Sequence, residues 1–138
     1  MASWFILALI AAILLAILVL IVKRGLNEGI SSWLWMMYYY SFTTILIAGY
    51  LFFSGSAMQI SKFLLMLLIF AAIFGTLGNV SSTHAVKLAP NPGYVMAIAS
   101  AQTILIAIAS VFIFQSEFTI LKGLGTILVV AGVILLGL

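Results

Sequence analysis

The chain has no cysteine, two prolines and only seven formal charges in 138 residues, five basic and two acidic. Without cysteine there can be no disulfide and no thiolate metal site, and the absence singles out no compartment. Charged residues make up 5% of the sequence, whereas a soluble domain carries about 25%, so too little charge is present to cover a water-facing surface. The bases are scattered and the net charge of +3 is small. There is neither a basic block for nucleic acid nor a polybasic tail for lipid headgroups, and no nucleic-acid partner is expected.

What is present is hydrocarbon: 67% of residues are hydrophobic and the mean hydropathy is +1.44. The apolar runs are long and unbroken. Strands of a membrane barrel alternate apolar and polar over about ten residues, so the pattern calls for an all-α integral membrane protein lodged in lipid. Five transmembrane helices are predicted, at about 3–22, 32–53, 61–88, 94–114 and 119–137, in a single domain over 1–138. The first apolar run is expected to stay as a membrane helix. It has no basic segment before it, it is too long for a signal peptide, and Lys23-Arg24 follows it. Gly25 and Gly29 are expected to end helix one. The third helix should be roughly 40 Å long against a hydrocarbon core of about 30 Å, so it should tilt or protrude. Pro90, Asn91, Pro92 and Gly93 form a turn. Gln115 to Glu117 form another, with the Glu117 carboxylate beside the positive start of helix five.

The densest polar stretch is Gly75 to Gln102, which holds the only histidine and both prolines. On a helix, Thr76, Asn79, Thr83 and Lys87 share one face, with His84 beside it. Polar groups inside a membrane face a cavity or a partner. The stripe therefore either lines a substrate path or packs against neighbouring helices. Candidate substrate contacts are Asn79, Thr83, His84 and Gln102, with Tyr40 supporting them. Gln102 serves either as a ligand contact or as a tether between helices, because a buried amide needs partners. Lys87 either meets an anionic group or snorkels to the interface. Trp33, Trp35, Tyr38, Tyr39 and Tyr40 read as an interfacial aromatic belt. Tyr40 is the exception, because it shares a face with Thr43 and Thr44. Gly75 and Gly78, Ala97 and Ala101, and Gly123, Gly125 and Gly132 suit close helix contacts. No nucleophile–base pair, metal-ligand cluster or phosphate loop is present. No enzyme activity, cofactor or metal is expected.

Five spans place the chain ends on opposite sides of the membrane. Lys62 and Lys122 then fall on one side, and Lys23, Arg24 and Lys87 on the other. A two-against-three split gives the positive-inside rule almost nothing to act on. The chain is expected to insert both ways round, so that two copies can meet as an inverted pair.

The C-terminal run HAVKLAPNPGYVMAIASAQTILIAIASVFIFQSEFTILKGLGTILVVAGVILLGL, with its AVKLAPNPG turn, its SEFT glutamate turn and its GLGTILVVAGVILL helix, resembles the EamA-like repeat of the drug/metabolite transporter superfamily. Helices one and two fit the same unit in order. The resemblance implies one EamA-like five-helix repeat. Larger members carry two such repeats in opposite orientations, with the substrate path between them; fusing two five-helix units inverts the second, because five is odd. One unit here implies a homodimer, antiparallel and of dual topology, in a prokaryotic plasma (inner) membrane. The small multidrug members carry a membrane-embedded glutamate in their first helix. Helix one has no acidic residue, so the residues do not support a proton-coupled drug antiporter.

Three functions are compatible with these features. The first is a transporter moving a polar or amphipathic small metabolite by alternating access, near the midplane between helices three and four of two protomers. The second is a flippase for a lipid-linked substrate, with membrane lipid itself the partner. The third is an accessory membrane subunit that transports nothing, whose helix-three polar face is filled by packing.

Overall fold

The computed structural model describes residues 3–55, 59–115 and 119–137, and no strand occurs among them. The helices are α1 (Ser3–Asn27), α2 (Ser32–Ser54), α3 (Lys62–Leu88), α4 (Pro92–Ala99), α5 (Gln102–Phe114) and α6 (Ile120–Gly137). Among the described residues, four spans are long and apolar enough to cross a membrane: Phe5–Asn27, Ser32–Ser54, Lys62–Leu88 and Pro92–Phe114. The shorter apolar stretch Gly123–Leu135 lies within α6, whose length of ~27 Å approaches the ~30 Å of the hydrocarbon core. Large apolar side chains such as Leu46, Phe52 and Phe53 point outward along these helices. Against acyl chains that exposure carries no hydrophobic penalty, because lipid tails are as apolar as the side chains. The protein is an all-α, multi-pass integral membrane protein of about five spans. Glu117 lies outside the described residues.

The helices form two compact units, Met1–Leu88 and Ala89–Leu138. In the first, α3 packs against both α1 and α2. The buried side chains Leu26, Ser32, Met36, Val80, Thr83 and Val86 all belong to one end of this unit, where α1 finishes, α2 begins and α3 finishes. Helix one does not stop at Val22. It continues through Lys23, Arg24 and Gly25 to Asn27, and Gly29 ends it with φ +95°. The extra turn carries Leu26 into the core, where it is 1% exposed. Gly25 is thus not a terminator. It is the seat of the Trp35 ring, and a Cβ at that position would lie 2.0 Å from the indole.

This end is fastened by two lysines. Lys23 Nζ donates to the carbonyls of Val86 and Lys87, both at 3.0 Å. Those are among the last carbonyls of α3, which have no intrahelical partner and sit at the negative end of the helix dipole. Lys87 Nζ donates in turn to the Ile30 carbonyl in the α1–α2 connection at 3.0 Å. The Arg24–Glu28 pair, 3.1 Å apart and largely exposed, adds little at such exposure. Capping sets the other boundaries. Ser31 Oγ accepts the Leu34 N–H at 3.2 Å and Ser61 Oγ the Leu64 N–H at 3.3 Å, and Gly55 ends α2 in the left-handed region at φ +64°.

The second unit departs from the expected single helix over 94–114. The helix starts earlier, at Pro92, because Asn91 Oδ1 accepts the Gly93 N–H at 2.8 Å and proline at the first position has no N–H to leave unsatisfied. It is then interrupted at Ser100 and Ala101. Their backbones stay right-handed with ψ of −15° and −25°, and the N–H groups of Ala101, Thr103 and Ile104 reach back three residues. That is a local 3₁₀ tightening. The Ser100 hydroxyl bonds the Ala97 carbonyl, a back-bond of the kind that bends helices. α6 packs on α4 and, less extensively, on α5. Asn91→Ala is expected to cost about 1 kcal/mol, read as a lower thermal midpoint in detergent; an unchanged midpoint would mean that Pro92 alone sets the helix start.

Candidate functional site

The polar face of α3 turns toward α2. Asn79 Nδ2 donates to the Tyr40 hydroxyl at 2.9 Å, and Thr83 Oγ1 donates to Met36 Sδ at 3.4 Å. The two contacts step four residues up α3 and four residues down α2, which is how equivalent faces of antiparallel helices meet. Lys87, four residues further on, reaches Ile30 just before α2. The spacing that put Asn79, Thr83 and Lys87 on one face therefore becomes a ladder of contacts along the α2–α3 seam.

The rungs differ in access. Thr83 and Met36 are both buried, and a thioether is a weak acceptor, so this rung is sealed packing. Asn79 is exposed and Tyr40 half-buried. With Nδ2 committed to the phenol oxygen, the Asn79 carbonyl oxygen can still accept and the Tyr40 O–H can still donate. The pair lies roughly 12–14 Å from the packed end, counted along either helix, near the middle of a ~30 Å core. Thr43, on the same face as Tyr40, spends its hydroxyl on the Tyr39 carbonyl of its own helix at 2.8 Å. The Tyr39 and Tyr40 rings meet at 5.5 Å.

His84 is exposed and belongs to a different feature. A groove of about 420 Å³ runs between the start of α2 and the end of α3, lined by Ser31, Ser32, Trp33, Ser81, His84 and Lys87 among others. Gln102 is the first residue of α5, in the second unit, directly after the interruption, and it is exposed. Of the five candidate residues, the structure thus joins Tyr40 and Asn79 directly, places Thr83 one turn along the same seam, puts His84 on the adjoining groove, and leaves Gln102 on the other unit. Among the described residues no cluster of three His, Cys, Asp or Glu side chains forms a metal site.

Sequence reasoning missed Ser32 and Ser81, and it missed the part Lys23 plays in closing α3. The Ser-Ser pair ahead of Trp33 carries a helix-start signature, which was legible. The meeting of Ser81 with that start requires the α2–α3 packing.

In comparison with known proteins, residues 2–138 match the sequence model of the EamA-like transporter family. No curated protein and no solved structure matches the chain.

Proposed function

We propose, because the chain belongs to the EamA-like transporter family and so to the drug/metabolite transporter superfamily, that it moves a polar or amphipathic small metabolite across the membrane by alternating access. The observation that carries this reading is the Asn79–Tyr40 pair: an amide and a phenol bonded to each other near mid-span, accessible on one side, with an acceptor and a donor left to replace a solute's water. An intramembrane polar pair exposed to lipid alone would be costly, so its exposed side calls for an occupant. Thr83 and Met36 hold the two helices in register behind it and touch no solute themselves. Gln102 is a second, separate polar position at a helix interruption, where tightened backbone and an exposed amide can serve a ligand.

In this reading the working form is an inverted homodimer in a prokaryotic inner membrane. Support comes from the odd number of spans, from the even spread of charge, and from open space over Gly75, Gly78, Gly125 and Gly132, where an added Cβ would meet nothing within 4 Å. Such positions accept a second backbone closely. The test is uptake by proteoliposomes of a panel of labelled polar metabolites. Asn79→Ala and Gln102→Ala should each lower flux about tenfold, the size of one lost hydrogen bond of ~1.4 kcal/mol, at unchanged expression. Wild-type flux in both variants would remove the site assignment. Tags on both chain ends should appear on both faces of the membrane; one fixed orientation would rule out the inverted dimer.

A further inference from the structure

We propose that the Asn79–Tyr40 pair selects an uncharged solute with a hydrogen-bond donor and an acceptor on neighbouring atoms, as in a carboxamide or along the edge of a nucleobase. This specificity rests on the transporter reading of the same pair. It follows from what the pair leaves unspent and from where the chain keeps its charges.

Asn79 Nδ2 donates to the Tyr40 hydroxyl at 2.9 Å, with Asn79 exposed and Tyr40 half-buried. The amide oxygen is then left to accept and the phenol O–H to donate. Turning the amide over reverses the bond, after which the phenol oxygen accepts and the amide N–H groups donate. Either way a donor and an acceptor stand side by side, and their complement is an acceptor beside a donor. A carboxylate offers acceptors only and an ammonium donors only. Each would leave half of the pair unmatched away from water, which is penalised. The hydroxyls nearby do not widen the choice. Ser41 and Thr43 donate to the Met37 and Tyr39 carbonyls of their own helix, both at 2.8 Å, and Thr83 is closed against Met36. The Tyr39 and Tyr40 rings, 5.5 Å apart, add aromatic surface that suits a planar group.

The charges of the chain all lie at span ends. Lys23, Arg24 and Glu28 fall at the close of α1, Lys62 and Lys87 at the two ends of α3, and Lys122 in the first turn of α6. Glu117 precedes α6 by three positions in the sequence. Neither residues 29–61 nor residues 63–86 contain a lysine, arginine, aspartate or glutamate. Counted along α3, Asn79 is ~12 Å from Lys87 and ~26 Å from Lys62, and the Lys87 ammonium is engaged by the Ile30 carbonyl. His84, five residues from Asn79, lies on the adjoining groove. A charge brought to mid-span without a partner is costly. A second copy of the chain has the same charge-free middle, so an inverted dimer supplies no counter-charge there either.

The test uses three ligands of nearly one shape, titrated calorimetrically at neutral pH into the full chain in detergent. Nicotinamide is uncharged and has the donor–acceptor edge, 1-methylnicotinamide keeps that edge but is a cation, and nicotinate is an anion with acceptors only at that edge. Nicotinamide should bind saturably, and each charged ligand about tenfold more weakly or worse. Tyr40→Phe keeps the ring and removes the hydroxyl, and should weaken nicotinamide about tenfold. Asn79→Ala should do the same, and if it fails to fold, Tyr40→Phe decides alone. No binding of nicotinamide, equal or tighter binding of either charged ligand, or undiminished binding in Tyr40→Phe overturns the proposal. Uptake by proteoliposomes, with the labelled panel sorted by charge, separates this specificity from transport itself. Flux confined to uncharged, amide-bearing solutes supports it. Flux that favours charged solutes overturns the substrate class and leaves the transporter reading standing. If nothing in the panel moves while nicotinamide still binds, the transporter reading falls and the preference of the pair stands.

Discussion

Replacing Gly25 with leucine is expected to lower stability by about 3 kcal/mol, the upper part of the range for overpacking. Gly25 is inside a helix, where glycine is ordinarily a weakness of up to about 1 kcal/mol relative to alanine. Here the missing side chain is the point. The Trp35 ring lies against the α1 backbone, and even a methyl carbon would fall 2.0 and 2.4 Å from two of its ring carbons. An indole is rigid, so it has to leave as a whole, and the α1–α2 hairpin loses its contact beside Leu26, the most deeply buried side chain of the core. Gly25→Ala should show the same effect at smaller size. Combining Gly25→Ala with Trp35→Ala should cost less than the sum of the two single changes, because the clash is gone once the ring is gone. Thermal unfolding in detergent, with tryptophan emission as a second probe, reads both. Strict additivity would mean that the ring and the glycine do not meet.

A second large loss is expected from Lys23→Met. Methionine keeps much of the stem and removes the ammonium, so the change isolates the polar contacts. Two carbonyls at the end of α3 then lose a charged donor, both from 3.0 Å. Val86, whose carbonyl is one of the two, is 2% exposed, so water cannot readily take over there. Hydrogen bonds to charged groups are worth about 1.5–3 kcal/mol each, and a buried carbonyl left unsatisfied is costly in its own right. The expected loss is about 2–3 kcal/mol in all, allowing for partial relaxation. It should be accompanied by faster hydrogen exchange in the last turn of α3 and unchanged exchange in residues 89–138. Lys23→Arg should recover part of it. Unchanged exchange at the end of α3 would show that Lys23 is a surface charge and no cap.

Much of the fold was legible because lipid imposes a simple rule. A segment that crosses must be helical and apolar, and the runs ending near Leu88 and Phe114 satisfy that on inspection. The misplacements have local causes. Gly25 looks like a stop, since glycine after a basic pair commonly ends a helix. Only the position of Trp35, ten residues on, turns it into a packing surface. The interruption at Ser100 carries no proline and no glycine to announce it. It depends on a serine hydroxyl choosing a carbonyl of its own helix, a choice that helix propensity does not encode.

The candidate site was legible in part, for the same reason. Asn79, Thr83 and Lys87 share a face by arithmetic alone, and Tyr40 stands out from its aromatic neighbours by the threonines beside it. Periodicity can put residues on one face. It cannot say whether that face is open, as at Asn79, or closed, as at Thr83 beneath Met36. His84 and Asn79 lie five positions apart on α3, yet they serve different features, because one meets the seam with α2 and the other the groove beside it.

The sequence by itself determined that this is a multi-pass helical membrane protein with a repeat-like order of spans and a scarce set of hydrophilic groups in its third helix. Composition and period suffice for that, since burial in hydrocarbon leaves so few alternatives. Tertiary structure alone decided which of those groups seal the α2–α3 seam and which remain accessible. It also decided that Gly25 is a seat for an indole, that two lysines fasten one end of the first unit, and that Ser32 is left buried without a partner. Each of these depends on residues distant in the chain meeting at a few ångströms, and no local pattern carries that information.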